Sequence, residues 1–170
     1  GGFSYNSKYW AEVVKDFVSH YKLKPGSKVL DVGCAKGFML FDLKRQFPEI
    51  DVKGIDISDY AIKNGQEEVK EFLSVGDATK IEFEDNYFDL VISINTVHNL
   101  DFENCKRSIQ EISRVSKKNS FITVDAFNNE EEKERMYMWN LTAKTIMSVD
   151  DWKKTFIDID YNGDYFWFIP

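Results

Sequence analysis

Apolar side chains recur at helical spacing in the first segment of the chain. Between residues 8 and 22 they follow one another at intervals of three and four positions, at Trp10, Val13, Val14, Phe17, Val18 and Tyr21. This period predicts an amphipathic helix. Ser7 can cap its start, and Pro25-Gly26 ends it.

Short apolar runs then alternate with helical patterns. Strands are predicted at residues 28–32, 52–57, 73–76, 88–94 and 120–124, and helices at 38–47, 58–72 and 102–116. Because these strands are apolar on both faces, the alternation predicts an α/β fold with a parallel sheet that helices cover on both sides.

The last thirty residues break this alternation. Ser148 and Asp151 form the S-x-x-D pattern of a capping box, which predicts a short helix through Phe156. Asn162-Gly163 then lies between two apolar runs at 157–161 and 164–169. This dipeptide is the strongest short-range hairpin signal, so the chain is predicted to finish with an antiparallel hairpin.

Length and composition limit the classes of protein that fit. The 170 residues are 43% apolar and contain three prolines, which predicts a single domain spanning 1–170. The net charge of −7 argues against nucleic acid or an anionic membrane as a partner. No apolar run is long enough to span a bilayer, and the two cysteines are typical of a reduced, cytoplasmic protein. Gly1-Gly2 is left out of the fold argument.

The first predicted strand leads into a glycine loop, Asp31-x-Gly33-x-x-x-Gly37. Such a loop places a helix N-terminus at the carboxyl edge of the sheet, where ligands of these folds bind. A dinucleotide site requires G-x-G-x-x-G, and Ala35 interrupts that spacing. An acid at the end of the strand favours an ammonium group over a pyrophosphate as its neighbour.

Acidic residues also follow the second and third strands. Asp56 ends the second strand 19 residues after Gly37, where a carboxylate can accept both hydroxyls of a ribose. Asp77 follows the third strand and can accept a hydrogen bond from the amino group of an adenine. Three acids at successive strand ends therefore predict a nucleoside site.

These motifs resemble the class I S-adenosylmethionine-dependent methyltransferases over nearly the whole chain. The resemblance implies a doubly wound, Rossmann-like sheet of seven strands in the order 3-2-1-4-5-7-6, with the seventh antiparallel. It implies that residues 1–24 form a lid helix and 25–170 the core. The cofactor would be S-adenosylmethionine, with S-adenosylhomocysteine as product, held by Asp31, Gly33, Cys34, Ala35, Gly37, Asp56, Ile57, Asp77, Ala78 and Asn95. Ala35 stands where many members carry glycine.

The segment 93–100 is implied to face the transferred methyl group. It lacks the N-P-P-Y-like motif of enzymes that methylate the amines of bases. His98 is the predicted catalytic base, and the alternative is a histidine that packs beside the cofactor. Asp125 is a second candidate acid or base. Tyr5, Tyr9 and Trp139 are predicted lid or substrate contacts, and no metal-ligand cluster is present in the sequence.

The leading hypothesis is methyl transfer to an oxygen or nitrogen of a small-molecule acceptor. A sugar or glycan precursor is one candidate that familiarity with similar chains suggests, and the chain is expected to be a monomer or homodimer. An NAD(P)-dependent oxidoreductase is the first alternative, although no Tyr-x-x-x-Lys pair is evident. A catalytically inactive, methyltransferase-like partner subunit is the second.

Overall fold

Helices and strands alternate through residues 4–170, the part of the chain that the computed structural model describes. Residues 1–3, which include Gly1-Gly2 and the start of the predicted lid segment 1–24, lie outside the described residues. The elements are α1 (Ser7–His20), β1 (Lys28–Val32), α2 (Phe38–Gln46), β2 (Asp51–Asp56), α3 (Asp59–Lys63), β3 (Leu73–Val75), β4 (Phe88–Ile94), α4 (Phe102–Val115), β5 (Ser116–Phe127), α5 (Glu130–Trp139), β6 (Met147–Ser148), α6 (Val149–Asp158) and β7 (Asp164–Phe168). Short 3₁₀ helices lie at Glu67–Phe72 and Val97–Asn99.

The strands form one parallel sheet in the order β3-β2-β1-β4-β5, with β6 and β7 both bonded to β5. Each strand pairing is parallel. The predicted α/β class and the order of the first five strands are confirmed, as is the position of the last strand beside β5. The carboxyl ends of β1, β2 and β4 therefore meet at one edge of the sheet.

The predicted antiparallel hairpin at the end of the chain is wrong. Residues 157 and 158 finish α6, and β7 pairs in parallel with β5 from Phe121↔Asp164 to Asp125↔Phe168. The sixth strand that was predicted at 157–161 is absent, because these residues finish α6 and the turn that follows it, and among the described residues no strand pairs beyond β7. The short β6, which was not predicted, pairs with Ala126 and Phe127 of β5. Trp152 and Phe156 are buried on α6, and burial of this helix face outweighs the local turn preference of Asn162-Gly163.

Two local expectations also change. Asn6, not Ser7, caps α1, because its side chain accepts a hydrogen bond from the Lys8 backbone. The predicted helix over 58–72 ends at Lys63 and resumes as a 3₁₀ helix at Glu67. The break contains Gly65, and glycine is a poor helix former; a β-carbon on it would lie 2.7 Å from Leu73 Cδ1, so the chain here packs closely against the start of β3.

Alternate residues of the central strands pack into two separate apolar layers. Val29, Leu90 and Ile92 face α1 and α2 on one side of the sheet. Leu30 and Val91 face α4 and α6 on the other. This two-sided burial explains why the strands read as continuous apolar runs. Within residues 4–170, no helix has the length and apolar character needed to cross a membrane.

Candidate functional site

A cavity of about 430 Å³ opens at the carboxyl edge of the sheet, above β1, β2 and β4. Nine of the ten residues predicted to bind a cofactor line it: Asp31, Gly33, Cys34, Ala35, Asp56, Ile57, Asp77, Ala78 and Asn95. The tenth, Gly37, lies beneath it as the N-cap of α2, with a φ of 75°. The topology thus brings together residues that are up to 64 positions apart, from Asp31 to Asn95.

The loop after β1 is shaped by close backbone approaches. Gly33 has a φ of +84°, and a β-carbon there would lie 2.1 Å from Thr96 Oγ1. Only glycine fits at this position. Ala35 also adopts a left-handed conformation, with a φ of 47°. That conformation costs an L-residue about 1–2 kcal/mol, so other contacts must hold Ala35 in place.

The backbone N–H groups of this loop are largely used inside the chain. Those of Gly33 and Cys34 donate to the Ile55 carbonyl at 2.8 and 3.0 Å, and that of Gly37 donates to the Cys34 carbonyl at 2.8 Å. The Ala35 N–H donates to Asp56 Oδ2 at 2.8 Å. Four donors that a phosphate-binding loop would offer to its ligand are therefore already occupied.

Three carboxylates line the cavity. Asp31 is only 5% exposed, and burial, followed by the nearby charge of Asp56, raises the pKa of Asp31 to about 7. Asp56 Oδ1 accepts a hydrogen bond of 2.8 Å from the Ser58 backbone. Hydrogen bonds from the Thr79 backbone and hydroxyl lower the pKa of Asp77. Among the residues that line the cavity, these three acids outnumber the basic side chains, of which Lys36 is one, so the site favours a cationic ligand.

The end of β4 supplies a polar wall. Asn95 has a φ of 52°, and its backbone N–H donates to Thr123 Oγ1 at 2.8 Å. The Thr123 hydroxyl donates in turn to Asn95 Oδ1 at 2.8 Å. This reciprocal pair fixes the Asn95 side chain between β4 and β5. Among residues 4–170, no group of three or more His, Cys, Asp or Glu side chains is placed to hold a metal ion.

His98 lies behind this wall, in contact with Asp125. Both are buried, at 3% and 6% exposure, and His98 Nε2 lies 3.6 Å from Asp125 Oδ2. The Asp125 N–H approaches His98 Nδ1 at 3.4 Å. Burial lowers the pKa of His98, although the charge of Asp125 opposes this. Its neighbours Asn99 and Leu100 line the cavity, whereas His98, the predicted base, is not among the lining residues.

The three residues predicted as lid or substrate contacts, Tyr5, Tyr9 and Trp139, lie in different surroundings. The Tyr5 hydroxyl donates to Asp42 Oδ1 at 2.7 Å, and its ring packs edge-on against Phe41 of α2. Tyr9 is 65% exposed. Trp139 lies on α5 and not at the cavity; it is 59% exposed, and its ring is tilted by 41° against that of Phe168, with 5.4 Å between the ring centroids.

Some of the residues that line the cavity were not singled out from the sequence. The helical period of Trp10 predicts that it belongs to the apolar face of α1, and it also lines the cavity. Thr96, Asn99 and Leu100 line it as well, and they belong to the segment 93–100 that the resemblance placed at the transferred methyl group. Phe38 and Met39 also line the cavity, at the start of α2.

Comparison with known proteins places this geometry in a family. The chain matches the model of a methyltransferase domain over residues 23–160. It is similar to phosphoethanolamine N-methyltransferase 3 of Arabidopsis thaliana, with 42% identity over 51% of this chain and 18% of that protein. It is also similar to demethylmenaquinone methyltransferase of Symbiobacterium thermophilum, with 32% identity over 69% of this chain and 49% of that one. The chain thus spans about a fifth and about half of the lengths of these relatives.

A solved structure has the same fold. A putative methyltransferase from Bacillus halodurans superposes with a TM-score of 0.69 at 20% identity, covering 87% of this chain and 68% of that chain. The family model covers most of the present chain, and the cavity lies where the shared fold places its ligand edge. The chain therefore belongs to the class I S-adenosylmethionine-dependent methyltransferase family.

Proposed function

We propose that the chain binds S-adenosylmethionine in the cavity above β1, β2 and β4 and transfers its methyl group to an oxygen or nitrogen of a small molecule. The single observation that carries this proposal is the balance of donors and acceptors around the cavity. Four loop N–H groups are occupied within the chain, and three carboxylates face the cavity. This set suits a cationic ligand with free hydroxyls and does not suit a pyrophosphate.

The residues present fit the parts of this cofactor. Asp56 uses one lone pair of each oxygen on Ala35 and Ser58, so a second pair on each remains to accept the ribose hydroxyls. Ile57 is 74% exposed and can cover one face of the adenine. Asp77 accepts from the adenine amino group, and Asp31 faces the ammonium end. We infer that the loop from Gly33 to Gly37 also faces the ammonium end of the cofactor.

When bound, the cofactor supplies a methyl group on a positively charged sulfur. The chain's own contribution is to align the acceptor and to exclude water. Trp10 on α1 and Asn95 after β4 bound the cavity at this end. The N-terminal segment, fastened by Tyr5 to α2, is proposed as the lid. His98 stays the predicted base, and its burial against Asp125 equally supports a role in positioning Asn99 and Leu100.

Two of the relatives support a small-molecule acceptor, since their names state phosphoethanolamine and demethylmenaquinone, which are chemically different. Another similar protein, from Arabidopsis thaliana, is named a tRNA methyltransferase. None of these three names mentions a sugar or a glycan. The catalytically inactive alternative is favoured by one observation, the 3% exposure of the predicted base.

Titration calorimetry tests the proposal. We expect S-adenosylhomocysteine to bind at micromolar concentration, and NAD and NADP not to bind, because the loop offers few free amides to a pyrophosphate. The reverse result would overturn the proposal. Binding without transfer of a labelled methyl group to any acceptor would instead favour the inactive partner subunit.

A further inference from the structure

A second cavity, of about 580 Å³, runs along one face of the sheet between α1 and β7. We call it the α1–β7 groove. Its apolar lining comes from Trp10, Val13 and Phe17 of α1, Ile94 of β4, Phe121 of β5 and Phe166 of β7. The volume falls within the range of small-molecule sites, which is about 300–1,000 Å³.

The groove adjoins the proposed cofactor cavity. Trp10 and Ile94 line both, and Thr123, which lines the groove, is hydrogen-bonded to Asn95, which lines the cavity. From Trp10 to His20 the helix rises about 15 Å, so the groove extends well beyond the reach of a small polar acceptor. A molecule lying in it would present one end at the Asn95 wall.

The chemistry of the groove selects an uncharged occupant. Its lining contains no lysine or arginine, and its two carboxylates, Asp16 and Asp164, would repel an anion. Asp164 is already engaged by the Tyr21 hydroxyl at 2.8 Å and by His20 Nε2 at 3.2 Å. The single Thr123 O–H is used by Asn95 Oδ1. Apart from the exposed side chains of Asp16 and His20, what remains available to a ligand is aromatic and aliphatic surface.

We propose that the α1–β7 groove binds the elongated, uncharged apolar body of the methyl acceptor, with the reacting polar end at the Asn95–Thr123 junction. This inference rests on the proposed function. The proposed acceptor has an alkyl, isoprenoid or aromatic body and is not a compact polar molecule.

The uncharged fluorescent probe N-phenyl-1-naphthylamine tests the groove directly. We expect saturable binding of one probe per chain, with affinity reduced at least about tenfold in Phe166→Asp, because a carboxylate would enter an apolar site. Phe166→Leu should bind as the wild type does. Leu141→Asp is the matched control, since Leu141 is 94% exposed and lies outside both cavities. Binding of S-adenosylhomocysteine should be equal in all four proteins, which also shows that they are folded.

Failure of the probe to bind, or equal binding by Phe166→Asp, would overturn the inference. So would a concentration-dependent dimer that Phe166→Asp abolishes, because a second copy would then occupy the groove. Transfer of label from methyl-labelled S-adenosylmethionine to a cell metabolite extract gives an independent result. Label that enters the organic phase supports the inference, and label confined to the aqueous phase contradicts it while upholding the methyltransferase. If neither phase is labelled and S-adenosylhomocysteine does not bind, the proposed function fails and the assignment of the groove to a methyl acceptor fails with it, even where the probe binds.

Discussion

The backbone N–H of Ala35 donates a hydrogen bond of 2.8 Å to Oδ2 of Asp56, joining the loop after β1 to the end of β2. Ala35 holds a left-handed conformation, with a φ of 47°, that alanine does not favour. The bond to a charged acceptor offsets this strain. Asp56 therefore shapes the loop as well as lining the cavity, and a change at Asp56 will alter both.

Replacement of Asp56 should weaken cofactor binding strongly. Asp56→Ala removes the acceptor proposed for two ribose hydroxyls and releases Ala35, so we expect a loss of about 3 kcal/mol or more in binding S-adenosylhomocysteine. Asp56→Asn keeps one oxygen acceptor and should lose less. Calorimetry measures both, with Asp59→Ala as the control, because Asp59 pairs with Lys63 on the surface of α3. Unchanged affinity in Asp56→Ala would show that the ribose lies elsewhere.

Gly26 and Gly33 have similar backbone conformations, so alanine variants of the two separate the cost of backbone strain from the cost of a steric clash. Gly26 has a φ of +80° with open space around it, whereas a β-carbon on Gly33, at +84°, would meet Thr96. Gly26→Ala should lower the free energy of unfolding by about 1 kcal/mol, from backbone strain alone. Gly33→Ala should lower it by at least about 2 kcal/mol more, because Thr96 must move. Urea unfolding measures the difference, and equal losses would contradict the close approach.

The stability of the chain should depend on pH through Asp31. Its pKa of about 7 in the folded chain lies above the ordinary value of 3.8, so the folded chain holds an additional proton between these limits. The free energy of unfolding should then fall as pH rises from about 4 to 7, by at most about 4 kcal/mol from this group. Asp31→Asn should remove this part of the slope. Parallel curves for the variant and the wild type would exclude a raised pKa.

The Tyr5–Asp42 hydrogen bond should fasten the N-terminal segment to α2. Asp42 is fully buried. Its Oδ1 accepts a hydrogen bond from the Tyr5 hydroxyl and pairs with Arg45, whereas its Oδ2 has no hydrogen-bond partner within the described residues. Tyr5→Phe should cost about 1–3 kcal/mol and speed amide exchange in residues 4–10. Tyr9→Phe is the control, since Tyr9 is 65% exposed. Equal exchange in the two variants would mean that the hydroxyl does not hold the segment.

The two interpretations of His98 predict different results for His98→Gln. If His98 is the base, kcat should fall by about 10²-fold or more with unchanged affinity for S-adenosylhomocysteine, and the pH dependence of kcat should change. If it positions Asn99 and Leu100, thermal stability should fall while the pH profile is retained. Full turnover with an unchanged profile would reject the base role.

The sequence alone was sufficient to predict the parts of the fold that depend on local pattern. The apolar run 88–94 became β4 with the predicted bounds, because a strand buried on both faces needs apolar residues throughout. The acids at 31, 56 and 77 were predicted to lie together because parallel strands bring their carboxyl ends to one edge. Strand order and direction are enough for this prediction, and all three acids line the same cavity.

Only the tertiary structure decided where the remaining residues act. Asn162-Gly163 favours a hairpin locally, but burial of Trp152 and Phe156 makes the preceding segment a helix and returns β7 parallel to β5. Trp10 has the period of a core residue, and its place on two cavities depends on how α1 lies across β4. His98 looks available for chemistry in the sequence, whereas packing against Asp125 buries it. Local pattern specifies secondary structure and one edge of the sheet, and burial summed over distant residues specifies the rest.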